Sequence, residues 1–144
     1  MRKRNGVILA VIGYIVFFFC MKGWGADWKF VGKDVHGSVW EVDVASISRH
    51  HNNIVRVGVK RTPSEKGITD LVKKGGEKYK DLSHIIGIEE YDCTQKLNRI
   101  LIMTNYSLGG GVILSDHYYY GEWNFINSDS IEDTILKEVC KQPK

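Results

Sequence analysis

Ser115, Asp116 and His117 carry the side-chain types of a hydrolase triad, and His50 with His51 and Glu89 with Glu90 are further groupings whose chemistry could be catalytic. None has the spacing its chemistry needs. A nucleophile, its base and the carboxylate that orients the base must form a relay of hydrogen bonds, and three contiguous residues cannot turn toward one another to build it. Adjacent residues on a strand point to opposite faces. The two histidines therefore cannot share a metal ion, and the two glutamates make a poor acid and base pair. No His-x-x-x-His or Cys-x-x-Cys spacing occurs to supply a metal site. Gly109, Gly110 and Gly111 lack the phosphate-loop patterns and lead into a strand instead of a helix N-terminus, so they read as a hairpin turn. No catalytic residue, metal ligand or cofactor is expected.

The chemistry the sequence does favour is that of Cys93 and Cys140. Arg2, Lys3 and Arg4 precede an apolar run over residues 6–21, followed by small residues, which is the pattern of an export signal. Gly23 and Gly25 suit cleavage before Ala26, so residues 1–25 read as a signal peptide and residues 26–144 as the mature chain. The competing reading is an uncleaved anchor, because the apolar run approaches the roughly 17 to 25 residues that span a bilayer. Either way the remainder faces outward. Cys20 lies within the signal, and Phe17, Phe18 and Phe19 before it do not suit lipidation. A small exported protein with two remaining cysteines joins them in an oxidising compartment, and a loop of about 48 residues closed in this way contributes roughly 4 kcal/mol in the chain-entropy model.

Loss of the signal also changes the charge. The whole chain is +3, but its first 25 residues contain four Lys and Arg and no acid, leaving sixteen basic against seventeen acidic residues, a net −1. Nucleic-acid binding needs a standing basic excess and is excluded on this ground. The length suits one domain.

The elements that carry these residues are mostly strands. Trp28 and Phe30, then Val39, Trp40 and Val42, mark two short strands, and Val55, Val57 and Val59 alternate with polar residues up to Pro63. Over residues 64–82 the spacing of Ile68, Leu71 and Val72 predicts a short helix, which Gly75 and Gly76 break into a mobile connection. Strand character resumes at Ile86, Ile88 and Tyr91. Residues 97–106 read as a central strand with Leu97, Arg99, Leu101 and Met103 on one side and Ile100 and Ile102 on the other. Residues 112–120 read as its hairpin partner. Ile131, Ile135, Leu136, Val139 and Cys140 then form one helical stripe behind an N-cap at Ser130, with Asp133 completing a weak capping box. Tyr118, Tyr119 and Tyr120 cluster with Trp123, and alternation exposes at least one tyrosine if the others pack inward. An exposed aromatic patch marks an interface. The competing and favoured reading has these rings cover the sheet beneath the C-terminal helix, with Trp123 belonging to that cover.

Tyr91-Asp92-Cys93, Arg99, Tyr106, Gly111-Val112, Ser115, and above all Trp123-x-x-Ile126-x-x-x-Ser130 followed by a helix and Cys140, resemble the surface-adhesin protein E-like domain family of Gram-negative bacteria. Val42-Asp43, Ser46-Ile47 and the strand from Ile54 resemble its first half, while Ser128 stands where the family carries a proline. The resemblance implies an α+β fold, a curved antiparallel sheet of about six strands around a C-terminal helix that a disulfide pins to it. It also implies an exported, non-enzymatic protein of the periplasm or outer surface, in a family with members that bind host matrix or serum proteins. Two functions are carried forward. One is an adhesin-like module that binds another protein; the other is a periplasmic small-ligand binder or enzyme accessory that uses the concave side of the sheet. A homodimer through an unpaired sheet edge is compatible with both, and neither involves nucleic acid or, after signal cleavage, the membrane.

Overall fold

The computed structural model describes residues 25–141. The export signal read over residues 1–25 thus lies, apart from Gly25, outside the described residues. Seven strands follow: β1 (Trp28–Lys33), β2 (Val39–Arg49), β3 (Ile54–Thr62), in which alternating valines face inward, β4 (Leu82–Asp92), β5 (Leu97–Ser107), β6 (Val112–His117) and β7 (Asn124–Phe125). They form one antiparallel sheet in the order β1-β2-β3-β4-β5-β6, with the short β7 paired to β5 beyond the end of β6. The sequence pattern over residues 97–106 reads as a central strand, and the observed β5 runs one residue further. It lies instead next to the edge, and β3 and β4 occupy the middle, because each strand from β2 to β6 pairs with the one before it, the chain passing through a helix between β3 and β4.

Register shifts interrupt the ladders of β1 with β2, β2 with β3, β4 with β5 and β5 with β6. Each is a place where one strand bends and twists against its neighbour. The shift on β5 has a specific result. Ile88 pairs with Ile102 but Glu89 pairs with Ile100, so Leu101 is the extra residue and Ile100 comes onto the same face as Met103. Strict alternation had put Ile100 and Met103 on opposite faces.

Helix α1 (Glu65–Gly75) runs three turns, longer than its interrupted pattern suggests. Ser64 caps it by accepting from the Gly67 N–H, and it ends only at Gly76, whose φ of 91° few other residues adopt. A 3-10 turn at Glu77–Tyr79 replaces the expected mobile connection.

Helix α2 (Ile131–Cys140) supplies the cover of the core. Ile135, Leu136 and Val139 bury against Val42, Val55, Val57, Val59 and Tyr91, with Trp40 and Ile126 half-buried at the margin. Ser130 caps the helix at 3.1 Å from the Asp133 N–H. The return contact of Asp133 goes one residue further back than a capping box, to the Asp129 N–H at 3.2 Å. Asp133 also holds Lys137 at 2.6 Å on the next turn. The last turn carries Cys140, which is bonded to Cys93 just past the end of β4, with Cα atoms 5.8 Å apart. The helix packs chiefly over β1, β2 and β3. The front of the sheet is therefore half covered, with the β4–β6 side left open.

Candidate functional site

Two features beyond the core draw attention: an aromatic rim at the β6–β7 edge and a line of charged residues behind it. The strand expected over residues 112–120 stops at His117. Tyr118 still donates its N–H to the Leu101 carbonyl, at 2.7 Å, and Gly121 returns an N–H to Tyr118 at 3.1 Å, so residues 118–121 form a turn lying along β5. Gly121 is required there. A Cβ at this position would collide with the carbonyl oxygen of Ile100.

Because the chain turns instead of alternating, all three tyrosines face outward. Tyr118 is 40% exposed, Tyr119 86% and Tyr120 95%, and Phe125 on β7 is 84% exposed. The reading in which these rings cover the sheet beneath the helix is therefore corrected. Tyr119 stacks loosely on His117, with ring centroids 6.3 Å apart. The rim is continuous with the outer edge of β6, whose sequence Val-Ile-Leu-Ser-Asp-His lacks the Lys or Pro that blunt many edge strands.

Trp123 also departs from expectation. It is half-buried, takes no part in the core beneath α2, and lies under the Arg99 guanidinium at 4.4 Å. Arg99 is held in turn by Glu90, whose Oε2 accepts from Nε at 2.8 Å, while Oε1 accepts from Nε and Nη2 of Arg56 at 3.0 and 2.7 Å. Cross-strand register puts the three together, since Arg56 on β3 faces Glu90 on β4 and Glu90 faces Arg99 on β5. Burial alone would raise the Glu90 pKa, but the hydrogen bonds and charges of the two arginines outweigh it and hold the carboxyl below its ordinary range. The line Arg56, Glu90, Arg99, Trp123 thus fastens the base of the rim to the back of the sheet. Of the other residues the sequence singles out, Ile126 packs at the core margin and Ser130 caps α2.

Glu89, one residue away, faces the opposite side. It is buried, its Oε2 accepts from the Tyr91 hydroxyl at 2.6 Å, and burial pushes its pKa up to about 7. The strand pattern separates the two glutamates correctly but gives no sign that both are buried.

The remaining groupings stay apart. His51 begins an exposed 3-10 turn beside His50. The Ser115 hydroxyl bonds to that of Thr104 at 2.8 Å. Among the described residues no cluster of three or more His, Cys, Asp or Glu side chains could hold a metal ion, and no helix is long and apolar enough to cross a membrane.

The family model for Surface-adhesin protein E matches residues 28–141, most of the chain. The chain belongs to the surface-adhesin protein E family. Among solved structures, the selenomethionine form of Haemophilus influenzae protein E matches with a TM-score of 0.51 at 13% identity, covering 78% of this chain and 84% of that one. A second crystal form of the same protein gives a TM-score of 0.49 at 13% identity over 81% and 91% of the two chains. At this identity the first likeness is one of fold. No curated protein matches the sequence.

Proposed function

We propose that this protein is an exported, non-enzymatic interaction module, adhesin-like, that docks another protein on the β6–β7 edge. The observation that carries the reading is the run of outward tyrosines, Tyr118, Tyr119 and Tyr120, beside the exposed Phe125. Tyrosine supplies broad contact area with few rotatable bonds and a polar tip, which suits transient protein contact. Membership of a surface-adhesin family supports the choice of a protein partner, and the unblunted β6 edge offers the backbone groups that an added strand would pair with. The same edge could serve a second copy of the chain. In this reading cleavage after Gly25 releases the domain from the membrane, and the signal pattern together with the disulfide supports a periplasmic or outer-surface location.

The test has two arms. Protease applied to intact cells digests the mature protein if it lies on the outer surface; complete protection until the outer membrane is opened places it in the periplasm and rules out adhesion. In the second arm, protein carrying Tyr119→Ser and Tyr120→Ser is compared with wild type for binding to immobilised matrix and serum proteins. Loss of at least about tenfold in affinity is expected for removal of two interface aromatics. Equal binding by the two proteins would remove the rim from the function.

A further inference from the structure

The open half of the front face carries a cleft unrelated to the aromatic rim. Beyond Trp40 and Val59 the sheet dips into a cavity of about 140 Å³ walled by Ile85, Glu89, Ile100 and Met103. Gly87 leaves its floor without a side chain, and the β5 bulge brings Ile100 to its side. A second cavity, of about 420 Å³, opens between the β1–β2 turn and the first turn of α2. Trp40 and Arg61 line both, so these two residues stand between the cavities.

That guanidinium is short of acceptors. Its Nη2 reaches the Ser38 hydroxyl at 3.4 Å and Asp34 Oδ2 at 3.7 Å, both long contacts. Its Nε is buried and has no partner among the described residues. Asp34 cannot turn to complete the pairing, because Oδ1 already accepts from the His36 and Ser38 N–H groups and Oδ2 from the Trp40 indole at 3.1 Å. The Trp40 ring lies beneath the guanidinium, with Cζ 5.4 Å from the ring centre. A buried N–H without an acceptor is costly, and the Nε–Nη2 edge of arginine matches the two oxygens of a carboxylate.

We propose that this cleft binds a small carboxylic acid, its carboxylate on the Nε–Nη2 edge of Arg61 and its apolar body between Ile85, Gly87, Ile100 and Met103. An apolar cavity of about 150 Å³ accepts a benzene-sized group, which sets the size of the body. The charge preference comes from Arg61 alone, since the second cavity sets Asp34, Asp129 and Glu132 against Lys33 and His36 and does not itself attract an anion, and the Asp34 carboxylate, 3.7 Å from Nη2, limits the affinity. Glu89 does not oppose the ligand below neutrality, because burial keeps its carboxyl protonated up to about pH 7.

The probe is 3-phenylpropionate, titrated at pH 6 into isotope-labelled protein purified after export and followed through the Arg61 Nε–H and Trp40 indole resonances. Both are expected to shift and saturate together. 3-Phenylpropanol, which keeps the body and loses the charge, and acetate, which keeps the charge and loses the body, should each bind at least about tenfold more weakly. Arg61→Lys, which retains the charge but not the fork, and Met103→Trp, which fills the cavity and leaves Arg61 in place, should each lower affinity by at least about tenfold. The amide spectrum establishes which variants are folded, and either folded variant is sufficient to decide. Absence of a saturable shift, acetate binding as tightly as the probe, or a folded variant binding as wild type does would overturn the proposal.

Discussion

Glu89 and Glu90 sit side by side in the chain and are tuned in opposite directions. The sign of each follows from its partner. Glu90 is ionised between two arginines, so its folded pKa lies below the unfolded value of 4.5; its stabilising contribution is present above that value and is lost as pH falls through the folded pKa. Glu89 has its folded pKa raised from 4.5 to about 7, so the folded state holds a proton that the unfolded chain has released; stability therefore falls as pH rises from 4.5 to 7, by about 3 kcal/mol if no other group compensates. Glu89→Gln, which can still accept from Tyr91, is expected to flatten that fall and to be more stable than wild type at pH 8, as chemical denaturation at several pH values would measure. Glu90→Gln should instead lose about 2 kcal/mol at pH 7, because charge-assisted bonds to Arg56 and Arg99 are weakened while the two guanidinium groups keep their charge. A Glu89→Gln protein with the wild-type pH slope would show that the carboxyl is not held neutral. The strand period was enough to separate these residues onto two faces. Their burial was not legible, since Arg56 and Arg99 become neighbours of Glu90 only through the registers of β3 with β4 and β4 with β5.

At the scale of elements, the terminal helix was readable because its signals are local: an N-cap serine, acids in the first turn and an apolar stripe. Ser130→Ala should cost about 1 kcal/mol in a thermal or denaturant melt, the usual effect of removing a capping oxygen. The valine strand β3 was readable for the same reason. The tyrosine segment was misread because a period-2 pattern cannot reveal where a strand stops, and here the stop depends on how closely Gly121 approaches the Ile100 carbonyl of another strand. Gly121→Ala is therefore expected to cost about 1 to 3 kcal/mol, typical of overpacking, and to displace the 118–121 turn. An unaltered melting curve and unaltered tyrosine chemical shifts would show that the turn tolerates a side chain. The bulge at Leu101 escaped the sequence for a related reason, as it is visible only against the partner strand.

For the whole molecule, an antiparallel sheet with a C-terminal helix and one disulfide was legible, since the strand and helix patterns are local and the sequence carried both ends of the covalent link. Cys93→Ser with Cys140→Ser should lower stability by about 2 to 5 kcal/mol, the usual cost of removing a native disulfide from a small exported domain, read as a lower denaturant midpoint without a change of fold. Less visible in the sequence was that the helix covers only part of the front face. That incomplete cover divides the molecule in its fluctuations. Residues of β1–β3 lie under α2, and β4 is tied to the helix at Cys93, whereas β5, β6 and β7 are held by strand pairing, by the Arg99–Glu90 and Thr104–Ser115 bonds and by the Arg99–Trp123 contact, with no helix over them among the described residues. Amide protons of β6 and β7 should exchange with solvent through openings much cheaper than global unfolding, while those of β3 exchange only when the whole domain opens. In the proposed docking mode, the part of the protein that presents the tyrosines is thus the part free to unzip and reseat, while the disulfide-linked part keeps its shape.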